Sequence, residues 1–331
     1  MFSQSKWKSI LKRFSGLRVL VIGDVMLDQY VMGRVSRISP EAPVPVVDVQ
    51  SEKFFPGGAS NVARNLRSLS AKVIVLGVIG SDAAGRTLSR TLCEQGIETS
   101  GLFKDPARPT TLKTRIIAQH QQVVRFDRES RLPVSRLLYR RAVDFAKRVI
   151  REVDAVVFED YGKGFIQQEF LDACMEIAQE SRVLTLADPN AHHHLDYRDL
   201  TGITPNRNEA FGMVREQIQD PALNPLKDAS LLEVGNRLLA QTRIRNILIT
   251  LGEHGMCLFR EGHHPHHIPT AAQEVFDVSG AGDTAISIFT LGLCAGLDAV
   301  AAAHLSNQAA GIVVGKAGTA TVTAAELLSC L

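Results

Sequence analysis

The sequence predicts an α/β protein, with a mostly parallel central sheet covered by helices on both faces and a small antiparallel sheet inserted into it. Two observations carry this expectation. Short apolar, β-branched runs alternate with longer stretches of helical periodicity, the pattern of strands joined by crossover helices. Two segments, 30–55 and 110–127, break the rhythm with strand-like alternation and no helix between.

Trp7, Ile10, Leu11 and Phe14 stand at helical spacing on a basic segment, which predicts an opening helix packed on the body through one apolar stripe. Residues 17–23 (LRVLVIG) read as a buried strand. A helix follows over 60–69, a strand over 72–77 and a helix over 84–95. The charged segment 134–152 reads as a helix, then strand 155–159, helix 167–181 and strand 182–187. A short strand at 202–204 precedes helices 208–217 and 230–242, separated by a surface turn over 219–227. Strands 246–251 and 256–260 lead to two apolar helices, 281–295 and 297–311. The whole chain, 1–331, reads as one domain, with 30–55 and 110–127 forming a lid over a site at the sheet's edge.

Composition excludes several classes. A net charge of +2 over 331 residues gives no electrostatic footprint for nucleic acid. No uncharged apolar run approaches the roughly 20 residues of a membrane span. The first sixteen residues lack the apolar core and cleavage site of a signal peptide. Cys93, Cys174, Cys257, Cys294 and Cys330 are odd in number and form no C-x-x-C pair, which points to a reducing, cytoplasmic compartment. The histidines at 192–194 and 263–267 read as loop segments without metal-ligand spacing.

The chemistry concentrates in residues 277–284, DVSGAGDT, at the start of a helical pattern. Gly280 and Gly282 permit a tight turn with N–H groups projecting from a helix start, an anion-binding arrangement. Asp283 in the first turn is a base suited to a hydroxyl that loses its proton late, as in phosphoryl transfer. In isolation the same residues read equally well as a Gly-rich turn with a capping acid. Residues 80–87 (GSDAAGRT) mimic a phosphate loop, but Arg86 stands where that loop needs lysine. GAGDTA mimics a dinucleotide loop, yet no second strand with a ribose-binding acid follows. PGGASNVARN (56–65) brings Gly57, Gly58 and Asn61 to a helix start. Asp24 and Asp28 follow the first strand. TPNRNE (204–209) sets Asn206 and Glu209 on one helix face, able to hold hydrated Mg²⁺. DYGKG (160–164) places Lys163 beyond a strand end.

Taken in order, these segments resemble the ribokinase-type (pfkB) carbohydrate kinase family from about Leu17 to Thr323. DVSGAGDT and PGGASNVARN are similar to that family's two signatures. GDVMLDQYVMGRVSRISPEAPVPVV, RPTTLKTRIIAQHQQVVRFD, EDYGKG, TPNRNE and AGIVVGKAGTATV resemble its heptose-phosphate branch. The resemblance implies a ribokinase-like three-layer α/β/α sandwich and phosphorylation of the anomeric hydroxyl of a heptose 7-phosphate, on the route to ADP-heptose and lipopolysaccharide. It implies ATP and Mg²⁺ as cofactors, with a monovalent cation as a further option. Asp283 is then the base, with Gly280, Ala281 and Gly282 as the anion hole. Asn206, Arg207, Asn208 and Glu209 lie by the ATP phosphates, with Glu209 holding Mg²⁺ through water. Thr250, Gly252, Asn307 and Gly311 border the nucleotide. Asp28, Gly57, Gly58 and Asn61 hold sugar hydroxyls, beside Asp127 and Tyr161. Lys163, Arg207 and Arg125 are the cations offered to the 7-phosphate.

The inserted strands form the lid, which in this family often doubles as a homodimer contact. Many relatives carry a C-terminal nucleotidyltransferase, so a chain ending at Leu331 resembles the stand-alone form. Residues 188–191 read DPNA where close relatives have DPKG, so a lysine that helps to bind phosphate is missing, and His192–His194 are the neighbouring residues that could compensate. The rival readings are a kinase of the same family acting on fructose 6-phosphate, ribose or a nucleoside, a nucleotide-dependent dehydrogenase, and a non-catalytic sugar-binding protein.

Overall fold

Val19 and Val21 of the strand Arg18–Gly23 pack into one hydrophobic core, while Leu20 and Ile22 pack into a second on the opposite face. That alternation, with all four side chains fully buried, is what a central strand covered on both sides requires. The computed structural model describes residues 2–119, 121–272 and 274–331. In chain order its elements are α1 (Gln4–Arg13), β1 (Arg18–Gly23), β2 (Val25–Ile38), β3 (Pro45–Gly58), α2 (Ala59–Ser68), β4 (Lys72–Gly80), α3 (Ala83–Glu94), β5 (Glu98–Asp105), β6 (Thr111–Ala118) and β7 (Gln121–Arg128). There follow α4 (Arg136–Val149), β8 (Ala155–Glu159), α5 (Gln168–Glu180), β9 (Leu184–Asp188), β10 (Gly202–Ile203), α6 (Arg207–Met213), α7 (Ala229–Thr242), β11 (Asn246–Thr250), β12 (Met256–Phe259), β13 (His266–Ile268), α8 (Ala281–Cys294), α9 (Ala299–Val314) and α10 (Ala324–Ser329).

The larger sheet has the order β13-β12-β11-β10-β9-β8-β1-β4-β5, parallel from β5 to β11 and antiparallel at β12 and β13. Residues of α1, α2, α3, α8, α9 and α10 fill the core on one face, and residues of α4 to α7 fill the core on the other. The three-layer expectation is met. The opening helix packs as its stripe predicts, with Trp7, Ile10, Leu11 and Phe14 all buried.

The smaller sheet departs from expectation. Its order is β3-β2-β6-β7, and β2 pairs with β6 in parallel, so the sheet is mixed rather than antiparallel. The reason is topological: α2, β4, α3 and β5 lie between β2 and β6 and act as a crossover, which returns the chain in the same direction. The helix expected over 208–217 stops at Met213, because Arg215 adopts φ +57°, outside the helical region. His266 and His267, read as loop residues, form part of β13. Strand β5 and helix α10 have no counterpart in the sequence reading.

Candidate active site

Ligands of open α/β sheets bind beyond the carboxyl ends of the strands. Here the parallel register sets Gly23, Glu159 and Asp188 side by side across β1, β8 and β9. Register partners share a face of the sheet, so Glu159 and Asp188 are forced together. Gly23 leaves room for this: a Cβ on it would stand 2.8 Å from the Glu159 Cβ. The first turn of α8 brings Asp283 over the pair, and one oxygen from each of the three carboxylates lies within 4.8 Å of the others. Glu159 is 1% exposed, and neither of its oxygens has a hydrogen-bond partner among the described residues. Burial first, and neighbouring carboxylates second, hold Glu159 and Asp188 well above the usual carboxylate range.

Helix α8 starts from Gly280 at φ +81°, and a Cβ there would meet the Asn61 Nδ2 at 2.7 Å. Glycine is required on both counts. The Ala281 N–H donates to the Val278 carbonyl at 3.3 Å, whereas the N–H groups of Gly282 and Asp283 have no acceptor among the described residues. Free first-turn donors of this kind favour an anion. Asp283 is 4% exposed. Asn61 Nδ2 donates to its Oδ2 at 2.6 Å and the Tyr161 hydroxyl donates to its Oδ1 at 3.4 Å. Burial pushes its carboxyl up to about 6, against the pull of the Asn61 hydrogen bond. Asn61 stands in the first turn of α2. Its Oδ1 accepts from Arg64 at 3.4 Å.

Beyond Asp283 the smaller sheet presents one charged face. Cross-strand register puts Asp28, Lys113 and Asp127 in one row and Tyr30, Arg115 and Arg125 in the next. Arg115 is ion-paired to Asp28. The Lys113 Nζ lies 5.0 Å from the centre of the Tyr161 ring. Arg125 clasps Asp127 through two hydrogen bonds of 2.9 and 2.7 Å, and the Lys163 Nζ is 2.7 Å from Glu129. Burial holds Lys113 below the usual lysine value, with Asp28 opposing and Arg125 and Lys163 adding to the effect. Asp24, buried beneath, accepts from the backbone N–H of Tyr161 at 2.9 Å and of Lys163 at 3.0 Å, fixing that turn. Burial pushes Asp24 up to about 6. Gly57 lets Asp28 approach, since a Cβ there would come 2.3 Å from the Asp28 Oδ2. Asp24 and Asp28 are thus buried acids at 4% exposure each, rather than solvated loop residues.

On the other side of α8's first turn, Thr250, Gly252, Ala281, Gly282, Asn307 and Gly311 line one cavity of about 490 Å³. Val275, Val278 and Val314 give it apolar walls. Asn307 donates to the Pro269 carbonyl at 2.8 Å. Asn206 and Glu209 form a reciprocal cap on α6, and Asn206 bridges to Thr250 at the cavity's edge. Burial holds Glu209 above its usual range. Asn208 is exposed. Arg207 is not brought to the other cations: it pairs with Asp228 at 2.9 Å and covers the Phe211 ring.

Two features bear on alternative readings. In residues 80–87 the cradle of a phosphate loop is filled by the chain's own Asp82, which accepts from the N–H groups of Gly85 at 2.8 Å and Thr110 at 2.9 Å. The His193 ring is held through Nδ1 by Asp160 at 2.8 Å, in the segment after β9 where the lysine is missing.

The sequence reading passed over Lys113, Arg115 and Glu159. Lys113 and Arg115 stand two residues apart, as do Arg125 and Asp127, a period-2 signal for a charged strand face. Glu159 ends the run AVVF with an acid where a buried strand needs none.

A buried acid at a helix N-terminus, between a charged roof and an apolar cavity, on this sheet, belongs to an α/β phosphotransferase that acts on a sugar hydroxyl. A model described as the pfkB family of carbohydrate kinases matches residues 17–325, and the chain belongs to that family. It is 42% identical over 324 residues to the bifunctional protein HldE of Trichlorobacter lovleyi, covering 98% of this chain and 65% of that protein. To HldE of Desulfatibacillum aliphaticivorans it is 45% identical over 314 residues, covering 95% and 63%. The chain thus spans slightly less than two thirds of the length of these relatives. Its backbone is similar to that of Arabidopsis thaliana ribokinase complexed with ribose and ATP, at TM-score 0.73 and 16% identity, covering 95% of this chain and 98% of that one. Phosphofructokinase-2 from Escherichia coli in complex with potassium gives TM-score 0.76 at 16% identity, with the same coverage. At such identities the likeness establishes the fold alone. Among the described residues, no helix is long and apolar enough to cross a membrane.

Proposed function

We infer that the chain is an ATP-dependent kinase that phosphorylates the anomeric C1 hydroxyl of D-glycero-β-D-manno-heptose 7-phosphate, giving the 1,7-bisphosphate for ADP-heptose and lipopolysaccharide synthesis. One observation carries the transfer chemistry: Asp283 is buried, oriented by Asn61 at 2.6 Å, and sits in the same helix turn as two unpaired N–H donors. Asp283 takes the proton of the C1 hydroxyl as that oxygen attacks the γ-phosphorus and ADP leaves. The N–H groups of Gly282 and Asp283 stabilise the charge on the transferring group. The apolar cavity beside Gly282 suits a nucleotide base.

The donors near that cavity, Glu209 and Asp188, offer carboxylate oxygens, which fit Mg²⁺; Glu209 would hold it through water. When bound, Mg²⁺ would neutralise phosphate oxygens. Lys113, Arg125 and Lys163 gather three cations on the sugar side, and this supports a phosphorylated sugar over ribose or a nucleoside. The resemblance to the heptose-phosphate branch and the HldE relatives support heptose. Phe54, Val124 and Phe126 are exposed on the outer face of the smaller sheet, which supports a homodimer formed through the lid strands. The single-domain reading, a cytoplasmic location and the optional monovalent cation belong to the same proposal. An ADP-release assay across ribose, fructose 6-phosphate, a nucleoside and the heptose 7-phosphate tests it. Highest kcat/KM on the heptose phosphate is expected, and preference for any other member refutes the substrate.

A further inference from the structure

The histidines of residues 263–267 have no part in the transfer chemistry, and the fold gives one of them a partner. His266 stands on β13, the edge strand of the larger sheet, paired with Leu258 of β12. His304 stands on α9, 38 residues further along the chain. Their Nε2 atoms lie 3.3 Å apart. The ring centres are 5.4 Å apart with the planes inclined at 69°, so ring nitrogens meet rather than ring faces. Among the described residues neither imidazole has another hydrogen-bond or ion-pair partner. His266 is half-buried, and His304 is exposed, lining a cavity of about 470 Å³ with Trp7, Asp298, Gln308 and Cys330.

The separation is that of two ligands on one ion. Imidazole nitrogens each about 2.0–2.1 Å from a tetrahedral zinc ion stand roughly 3.3–3.4 Å apart. Burial, and the neighbouring His266 after it, hold His304 below the usual histidine value, so at neutral pH it keeps the lone pair that a metal needs. Without an ion, one ring donates its Nε2–H to the other. With an ion, both rings offer Nε2 and carry their hydrogens on Nδ1. Imidazole suits zinc, cobalt and nickel, whereas magnesium prefers oxygen ligands.

We propose that His266 and His304 bind a divalent ion of the zinc class, with water from the adjoining cavity completing its shell. The ion ties the edge strand β13 to α9. Three residues further along both elements, Asn307 Nδ2 donates to the Pro269 carbonyl at 2.8 Å, and Asn307 and Thr270 line the cavity beside Gly282. The bound ion therefore pins the seam that forms one wall of that cavity. This goes beyond the transfer reading and needs neither sugar nor nucleotide.

Zn²⁺ is the probe. The purified chain, without nucleotide or sugar, is titrated with ZnCl₂ against a chromophoric chelator, with free thiols blocked beforehand. One saturable site is expected that His266→Gln and His304→Gln each weaken at least tenfold. His264→Gln, a histidine of the same segment placed outside the pair, is expected to stay within twofold of the unmodified chain. Zn²⁺ is expected to raise the melting temperature of the unmodified chain by more than that of either pair variant. Excess Mg²⁺ is expected to leave the ion in place. If one pair variant fails to fold, the other decides. The proposal is overturned if the unmodified chain shows no saturable site, if a folded His266→Gln or His304→Gln binds Zn²⁺ within tenfold of it, if His264→Gln weakens the site as much as they do, or if Mg²⁺ displaces the ion. A substrate panel that fails on heptose leaves this titration unaffected, so the two failures are distinguishable.

Discussion

The Asn61–Asp283 hydrogen bond makes a quantitative prediction about pH. Asp283 serves as a base only when ionised, and its carboxyl is pushed up to about 6 by burial. As pH falls through that value the base is lost, so kcat drops about tenfold per pH unit below it. The Asn61 Nδ2 donates to the ionised form at 2.6 Å and is the main group opposing burial. Replacing it by Asn61→Leu removes the donor while keeping a side chain of similar shape. A hydrogen bond to a charged group contributes about 1.5–3 kcal/mol. At about 1.4 kcal/mol per pH unit, that shifts the acid limb upward by roughly 1–2 units. The assay is ADP release against pH from 4.5 to 9, with saturating sugar phosphate. Asp283→Asn supplies the reference: its activity is expected to fall by about 10²–10⁴ and its acid limb to vanish. An Asn61→Leu profile that superimposes on that of the unmodified enzyme, with intact folding, would show that Asp283 does not govern the limb.

Three further predictions follow from the same geometry. Lys113→Ala is expected to raise KM for the sugar phosphate roughly 10–150-fold while KM for ATP stays within about threefold, since it removes a charged partner from the roof alone. Equal effects on both substrates exclude Lys113 from the phosphate subsite. Asp24 is raised in the fold from 3.8 to about 6, so its contribution to stability is full below about pH 4 and lost as pH rises through about 6. Asp24→Asn should therefore gain stability relative to the unmodified chain between pH 4 and 8, by at most about 3 kcal/mol; urea midpoints at the two pH values measure it, and an unchanged difference refutes the charge argument. Val124→Asp with Phe126→Asp places charge on the outer face of β7, and a dimer formed there is expected to become monomeric by light scattering without loss of secondary structure. A dimer that survives lies elsewhere.

How much of this was legible in the sequence depends on the distance over which each signal acts. Strand β1 and helix α8 were readable because burial imposes a local pattern: an uninterrupted apolar, mostly β-branched run in one, a glycine turn before an apolar helix in the other. Asp283, Gly280 and Asn61 were found because they stand at helix starts, where chemistry and chain direction coincide within a few residues. The charged face holding Lys113 and Arg115 was half legible: the period of two was present, but which face meets the cleft depends on β2 pairing with β6 in parallel, a contact across about eighty residues of intervening chain. Arg207 shows the converse. Its neighbours Asn206 and Glu209 stand together at the start of α6 as their spacing predicts, where they cap the helix, yet one position further round the guanidinium turns to Asp228, and only tertiary structure supplies that partner. Glu159 was the least legible of all. Its meaning comes from lying level with Asp188, and register between strands β8 and β9 leaves no trace in either segment taken alone. A buried acid that ends an apolar strand is therefore a cue to look sideways across the sheet, because strand alternation explains every residue of AVVFE except the last.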